Sequence, residues 1–208
     1  MRSLTTGVLT LALAAALAAP ALAAEPGDIL MRLRGIGFMT DTSGTTDAFG
    51  GQASTSNDYV PELDFSYFFT KHISAELILA TTKHRVKVKD STAGDLNLGT
   101  VRALPPVLTL QYHFNPDGRW NPYVGAGINY TLIFDDNLSV AGVPLGLDSS
   151  SVGLALQGGL DVKINERWAF NVDVKYAKLA SGVYAGATKL TEAQLDPVLY
   201  ALGLRYEF

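Results

Sequence analysis

The sequence predicts an all-β fold, an eight-stranded antiparallel up-and-down β-barrel that crosses a membrane with its strands. Apolar and polar residues alternate with a period of two in segment after segment, up to the end of the chain. The joins between these segments are alternately short and long. The chain is also unusually apolar, with 48% hydrophobic and 17% charged residues, yet after residue 24 it has no apolar stretch of the roughly 18 residues that a membrane helix needs.

Residues 1–23 are predicted to be a secretory signal peptide, with cleavage after Ala23 or Ala24. Arg2 supplies a positive start, residues 8–19 form an apolar run of mainly Leu and Ala, and small residues follow it. A membrane anchor is the alternative, but the apolar run is short for one. The mature chain, residues 24–208, is then a single barrel domain. Because an exported chain with no cysteine cannot form disulfides, a disulfide scaffold is excluded.

Eight segments carry the alternation and define the predicted strands. They are residues 28–39, 58–70, 73–80, 104–114, 123–134, 151–164, 168–176 and 198–208. Short joins follow the second, fourth and sixth of them, whereas long polar or glycine-rich stretches lie at about residues 40–57, 88–101, 135–150 and 180–196. Tight turns at one rim and long loops at the other are the layout of an outer-membrane barrel.

Alternation alone does not separate this fold from a soluble β-sandwich or a lipocalin-like barrel. Aromatic residues, however, cluster at the strand ends beside the short turns, as in an interfacial girdle. They are Tyr67, Phe69, Tyr112, Phe114, Trp168, Phe170, Tyr206 and Phe208. Glycines also recur on the polar face, where an eight-stranded lumen has little room. These features favour the membrane barrel.

Residues 122–130, with the sequence PYVGAGINY, resemble a segment of the OmpW family of bacterial outer-membrane proteins, the OmpW/AlkL group. Residues 104–106, 110–114 and 195–197 resemble that family as well, in the same order. The resemblance implies an eight-stranded barrel in the bacterial outer membrane with a hydrophobic channel. It also implies passive uptake of small hydrophobic molecules, since the group includes hydrocarbon importers.

The last strand resembles the terminal signal that the barrel-assembly machinery reads, through Gly203, Tyr206 and Phe208. A polar residue often precedes the glycine of that signal, and Leu202 stands there instead. The resemblance makes the assembly machinery an expected partner.

Ordering the inward positions by height, with the short turns on the periplasmic side, predicts two layers in the lumen. The lower layer is charged and is expected to pair into a closed floor, because an unpaired buried charge is costly. Its residues are Arg32, Glu76, His113, Asp161, Lys163, Asn171, Asp173, Arg205 and Glu207. The upper layer is an apolar cup, open to the outside and suited to a hydrophobic solute. Its residues are Ile78, Ala80, Val107, Ala155, Leu179, Leu199 and Ala201.

Three prolines lie toward the long-loop rim: Pro61 in the second strand, and Pro105 and Pro106 in the fourth. Because proline has no N–H to donate, it interrupts a hydrogen-bonded ladder. One interpretation is a lateral opening through which an apolar solute passes into the bilayer. The other is a strand start or a bulge.

Lys83, Arg85, Lys87 and Lys89 form a basic stripe where the third strand rises beyond the membrane. If the alternation continues, the stripe faces outward and can meet the phosphates of lipopolysaccharide. A solvated hairpin is the alternative interpretation.

No enzymatic function is predicted. The three histidines, His72, His84 and His113, have neither a serine and carboxylate arrangement nor paired metal-ligand spacing, and no cofactor is implied. The net charge of −4 argues against nucleic-acid binding. A structural or stress-related barrel, or a receptor without solute transport, stays open as the alternative function. We expect a monomer, because no extended polar patch faces outward.

Overall fold

A computed structural model of the chain describes residues 25–39, 45–46, 51–55, 59–91, 94–140, 142–194 and 196–208. The predicted signal peptide lies outside the described residues. The strands are β1 Ile29–Met39, β2 Thr45–Thr46, β3 Gly51–Thr55, β4 Tyr59–Phe68, β5 Ile73–Ala80, β6 Thr82–Ser91, β7 Gly94–Leu104, β8 Val107–His113, β9 Trp120–Val140, β10 Val143–Leu147, β11 Ser150–Lys163, β12 Trp168–Ala177, β13 Ala180–Ala185, β14 Thr188–Gln194 and β15 Val198–Glu207. Within the described ranges there is no helix with the length and apolar character to span a membrane.

Eight of these strands close into an antiparallel barrel, as predicted. Around the barrel the order is β1, β4, β5, β8, β9, β11, β12 and β15, and β15 pairs again with β1. Side chains alternate between the lumen and the outer wall because successive residues of a strand point to opposite faces. Arg32 is 0% exposed whereas its neighbour Leu33 is 59% exposed. Burying the charged face and exposing the apolar one is the arrangement of a barrel whose solvent is lipid.

The three short joins are tight turns, as predicted, at residues 69–72, 114–119 and 164–167. Two of them are held by side chains that cap the backbone. The Thr70 hydroxyl accepts hydrogen bonds from the N–H groups of His72 and Ile73, at 3.2 and 3.0 Å. Asn165 Oδ1 accepts from the N–H groups of Arg167 and Trp168, at 3.0 and 2.9 Å. This rim is therefore specified by local sequence.

The long joins at the other rim are strands, rather than loops, for most of their described length. Residues 88–91 and 94–101 lie in β6 and β7, residues 135–150 largely in β9 and β10, and residues 180–196 largely in β13 and β14. Of residues 40–57, only β2 and β3 are described.

These strand extensions have an apolar core of their own, which explains why they are ordered strands. The core consists of Val88, Leu98, Val101, Leu138 and Leu145. Alternation thus continues above the membrane-spanning part of the barrel. The join between β10 and β11 also contacts β13 through a side chain. Asp148 Oδ2 accepts a hydrogen bond from the Gly182 N–H at 2.6 Å, and this bond lowers the pKa of the Asp148 carboxyl.

Candidate functional site

Two buried arginines of β1 lie at the centre of the lower lumen. Arg32 contacts Asp64 at 3.1 Å, Glu76 at 3.2 Å and Asp161 at 3.4 Å. Arg34 contacts Asp64 at 2.7 Å and Glu76 at 3.0 Å. The two guanidinium groups therefore share carboxylates from β4 and β5, and ion pairs extend across the lumen to β11. Charges this deeply buried are stable only when paired.

The periplasmic end of the lumen is closed by a further set of contacts. Arg205 contacts Asp161 at 3.1 Å and also pairs with Glu207. Lys163 Nζ donates a hydrogen bond to the backbone carbonyl of Pro116 at 2.7 Å. Pro116 is buried, so the turn at residues 114–119 lies against the mouth of the barrel.

Every residue that the sequence assigned to the floor is buried inside the barrel. The charged layer is thicker than predicted, however, because four inward residues were left out of it: Arg34, Glu62, Asp64 and Lys175. Lys175 Nζ contacts Glu62 Oε1 at 2.9 Å, and Arg34 Nε contacts the same oxygen at 2.6 Å. Since Asp64 is in register with Ile78 and Glu62 with Ala80, the charges reach the level of the predicted cup residues of β5. The period-two alternation placed these residues inward, and only the height limit excluded them.

The charged layer is nearly balanced in sign. The buried charged residues of the described chain are five basic and six acidic: Arg32, Arg34, Lys163, Lys175, Arg205, Glu62, Asp64, Glu76, Asp161, Asp173 and Glu207. Mutual pairing on this scale forms a closed polar plug, rather than a ring of one charge sign that would select ions.

Tyr123 fills the lumen between these charges. Its hydroxyl donates a hydrogen bond to Asp173 at 2.7 Å and accepts one from Asn171 at 3.1 Å. The Arg32 guanidinium lies 5.4 Å from the centre of its ring, within cation–π range. Gly159 provides the space, because a Cβ there would lie 2.4 Å from the Tyr123 side chain.

His113, which is buried beside the charged layer, is held by hydrogen-bonding neighbours. Its Nε2 lies 3.2 Å from the Ser74 hydroxyl and its Nδ1 lies 3.0 Å from Asn121 Nδ2. His72 lies in the first turn, and the side chain of His84 lies outside the described residues. Among the described residues, no group of three or more His, Cys, Asp or Glu side chains has the arrangement of a metal site.

The apolar layer above the charges contains the predicted cup residues. Ile78, Val107 and Ala155 form one buried cluster. Ala80 and Ala201 form another with Ile36, against which Leu199 packs. Five of the seven predicted cup residues are at most 9% exposed, namely Ile78, Ala80, Val107, Ala155 and Ala201. The other two, Leu179 and Leu199, are half-buried. The layer is therefore packed rather than an open bore.

Two polar residues of β9, Asn129 and Thr131, are buried at the level of this apolar layer. Asn129 Nδ2 donates a hydrogen bond to the Lys178 carbonyl at 3.0 Å. Asn129 Oδ1 and the Thr131 hydroxyl have no hydrogen-bond partner in the described part of the chain. The alternation predicts that both residues face inward, but neither was among the predicted cup residues. The cup is therefore less apolar than predicted.

The barrel wall is interrupted beside the apolar layer. Pairing of β5 with β8 ends at Ile78–Val107, and pairing of β6 with β7 begins at Thr82–Ala103. Pro105 lies in the gap between them, together with Pro106. The missing N–H groups explain why no bridge forms at these positions.

A second interruption meets the first at Thr81. Pairing of β4 with β5 ends at Glu62–Ala80, immediately below Pro61, which pairs with Gly35 on the other side. Within the described residues, Thr81 therefore pairs with neither neighbouring strand. A register shift between β7 and β9 also lies close by, at residues 102–103.

The basic stripe lies on the outer face of β6. Lys83, Arg85 and Lys87 are exposed, and the side chain of Lys89 lies outside the described residues. At the far end of the barrel, Tyr206 and Phe208 of the predicted assembly signal lie next to each other, with ring centres 5.1 Å apart.

Comparison with known proteins identifies the family. The OmpW family model matches residues 25–208. Outer membrane protein W of Escherichia coli is 36% identical over the full length of both chains. The chain belongs to the OmpW family. It is accordingly a protein of the bacterial outer membrane, as predicted.

Relatives of the chain also include a dibenzothiophene metabolism operon protein, PahQ, of Pseudomonas aeruginosa. It is 28% identical, with 76% of each chain covered. Among solved structures, the crystal structure of the outer membrane protein OprG from Pseudomonas aeruginosa matches with a TM-score of 0.75 and 28% identity, covering 91% of this chain and 99% of that one. The solid-state NMR structure of outer membrane protein AlkL in lipid bilayers matches with a TM-score of 0.66 and 25% identity, covering 91% and 94%.

Proposed function

We propose that this protein is a passive outer-membrane channel for small hydrophobic molecules, which leave the barrel sideways into the bilayer. The observation that carries the proposal is the unpaired wall around Thr81, which lies beside the apolar layer and above the charged plug. The proposed channel acts as a monomer, without catalysis and without a cofactor.

The charged plug argues against a straight path to the periplasm. An apolar solute that moved down the axis would have to separate the ion pairs of Arg32 and Arg34, whose side chains are fully buried. Separating such pairs without new partners leaves buried charges uncompensated, at a cost of several kcal/mol. A sideways exit avoids that cost, because lipid chains are as apolar as the solute.

The break at Thr81 is well placed for such an exit. Ile78 and Ala80 line the lumen on the strand that leads to it, and Leu77 and Leu79 face the lipid on the same strand. Few backbone hydrogen bonds have to be broken there, since the ladders on both sides have already ended. The name of PahQ, which refers to dibenzothiophene metabolism, agrees with an aromatic or hydrocarbon solute.

The alternative function is a structural barrel or receptor that carries no solute. The close packing of the apolar layer favours it, because most of the predicted cup residues are buried against one another.

Cross-linking the barrel wall tests the proposal. The chain has no cysteine, so two introduced cysteines are the only thiols that a cross-linker can join. Pro61→Cys and Thr81→Cys place two thiols on exposed positions across the break, where a short bis-maleimide can join them. Phe65→Cys and Leu77→Cys are the matched control, since these residues pair in an intact part of the same wall. Uptake of a labelled alkane or aromatic is measured in cells that lack the native gene and express each variant.

We expect cross-linking to abolish uptake in the Pro61–Thr81 variant and to leave it unchanged in the Phe65–Leu77 control. Unchanged uptake in both variants would disprove the lateral exit. If cells that lack the gene take up the solute as well as cells that express it, the structural alternative holds.

A further inference from the structure

The outer face of β6 carries a basic motif that solute transport does not use. Lys83, Arg85 and Lys87 are exposed, whereas Thr82 before them and Val88 after them are buried. This alternation puts the three cations in a row on one face, about 7 Å apart along the strand.

The row of cations lies on a sheet whose other face is packed. Val88 is fully buried in the upper apolar core, together with Leu98 and Val101 of the paired strand β7. Arg102, which is also exposed, is in register with Lys83 and adds a fourth basic side chain to the same surface. Because the backbone is already ordered, binding a ligand here costs less conformational entropy than binding it to a flexible hairpin.

The height of the row decides which ligand it meets. On the outer wall, Leu77 and Leu79 of β5 face the lipid, and Thr81 and Lys83 are the next outward positions along the chain. Lys83 is four residues beyond Leu79, which corresponds to roughly 13 Å along a strand and less in height, because barrel strands are tilted. The basic row therefore begins where the hydrocarbon ends and the polar headgroups start.

We propose that this surface, formed by Lys83, Arg85, Lys87 and Arg102, binds the phosphate groups of lipopolysaccharide in the outer leaflet. Lysine and arginine form charge-assisted hydrogen bonds with phosphate, and a row of cations at a membrane surface gains affinity for anionic lipid with each charge. The surface borders the break at Thr81, so a bound lipid would lie next to the proposed exit. The binding itself does not depend on transport.

The test compares two triple variants of the full-length protein that lose the same charge. Lys83→Gln, Arg85→Gln and Lys87→Gln remove the row, whereas Lys71→Gln, Arg119→Gln and Arg167→Gln remove three basic residues from the turns at the opposite rim. Binding of purified lipopolysaccharide to each detergent-solubilised barrel is measured at low and at physiological salt. Enzymatically dephosphorylated lipopolysaccharide and phosphatidylglycerol vesicles serve as comparison ligands, and barrel folding is checked by heat-modifiable electrophoretic mobility.

We expect the row variant to lose affinity on the order of tenfold or more, since each cation near a lipid surface contributes substantially. The opposite-rim variant and the native protein should bind alike, and dephosphorylation should weaken binding to the native protein. A third variant, Lys83→Arg with Lys87→Arg, should keep native affinity. Equal losses in both Gln variants, no loss in either, or equal affinity for phosphatidylglycerol would each overturn the proposal.

Discussion

The lower and upper layers of the lumen are built from the same strands by the same alternation, yet they are stabilised differently. On β5, Glu76 and Ile78 are consecutive inward positions, one bound to two arginines and the other packed among apolar side chains. In the lower layer, each charge depends on partners from several strands. In the upper layer, the stability that a side chain contributes depends mainly on how well it fills the volume around it. The lower layer should therefore be fragile to the loss of one residue, and the upper layer tolerant of small changes.

The largest expected effect comes from removing one charge of the plug. Arg32→Met should leave carboxylates of Asp64, Glu76 and Asp161 short of a partner. Breaking a buried ion pair in this way costs about 3–5 kcal/mol. Ile78→Val, which deletes one methyl group from the upper layer, should cost only about 1 kcal/mol. Urea unfolding midpoints of the refolded variants measure both, and equal losses would contradict the difference between the layers.

A smaller effect is expected from filling the space beneath Tyr123. In Gly159→Ala the new methyl would lie 2.4 Å from the Tyr123 side chain and 2.8 Å from the Val172 carbonyl. Overpacking of this kind costs about 1–3 kcal/mol. Gly35→Ala is the control, because nothing lies within 4 Å of the new methyl group there. If both variants unfold at the same urea concentration, close packing around Tyr123 is not what requires a glycine.

The sequence predicted the eight strands and the three turns, because both depend on local signals. The alternation fixed which face Arg32 and Glu76 share, and the side chains of Thr70 and Asn165 specify their turns. The height of each side chain along the barrel axis was less predictable, since it depends on the register between neighbouring strands. Arg34 meets Glu62 only through the register of β1 with β4, which no single strand reveals.

The upper strands were missed for a related reason. Val88 and Leu98 are separated by a short polar tip, so the segment looks like a loop when its composition is considered alone. Their shared core with Leu138 forms only when β9 continues above the membrane. Long-range packing therefore made strands out of segments whose local sequence predicted loops.

The smallest expected effect is a change in stability that has opposite signs in the two layers. Thr109 in the lower layer has its hydroxyl 3.3 Å from both Glu76 and Gln157, whereas the Thr131 hydroxyl in the upper layer has no partner among the described residues. Valine has nearly the same shape as threonine. Thr109→Val should therefore destabilise the barrel by about 1–2 kcal/mol through a lost hydrogen bond to a charged group. Thr131→Val should stabilise it by up to about 1 kcal/mol, because it removes an unsatisfied buried hydroxyl. Urea midpoints that fall in both variants would show that the Thr131 hydroxyl is satisfied as the Thr109 hydroxyl is. The difference between the two layers would then not hold at these positions.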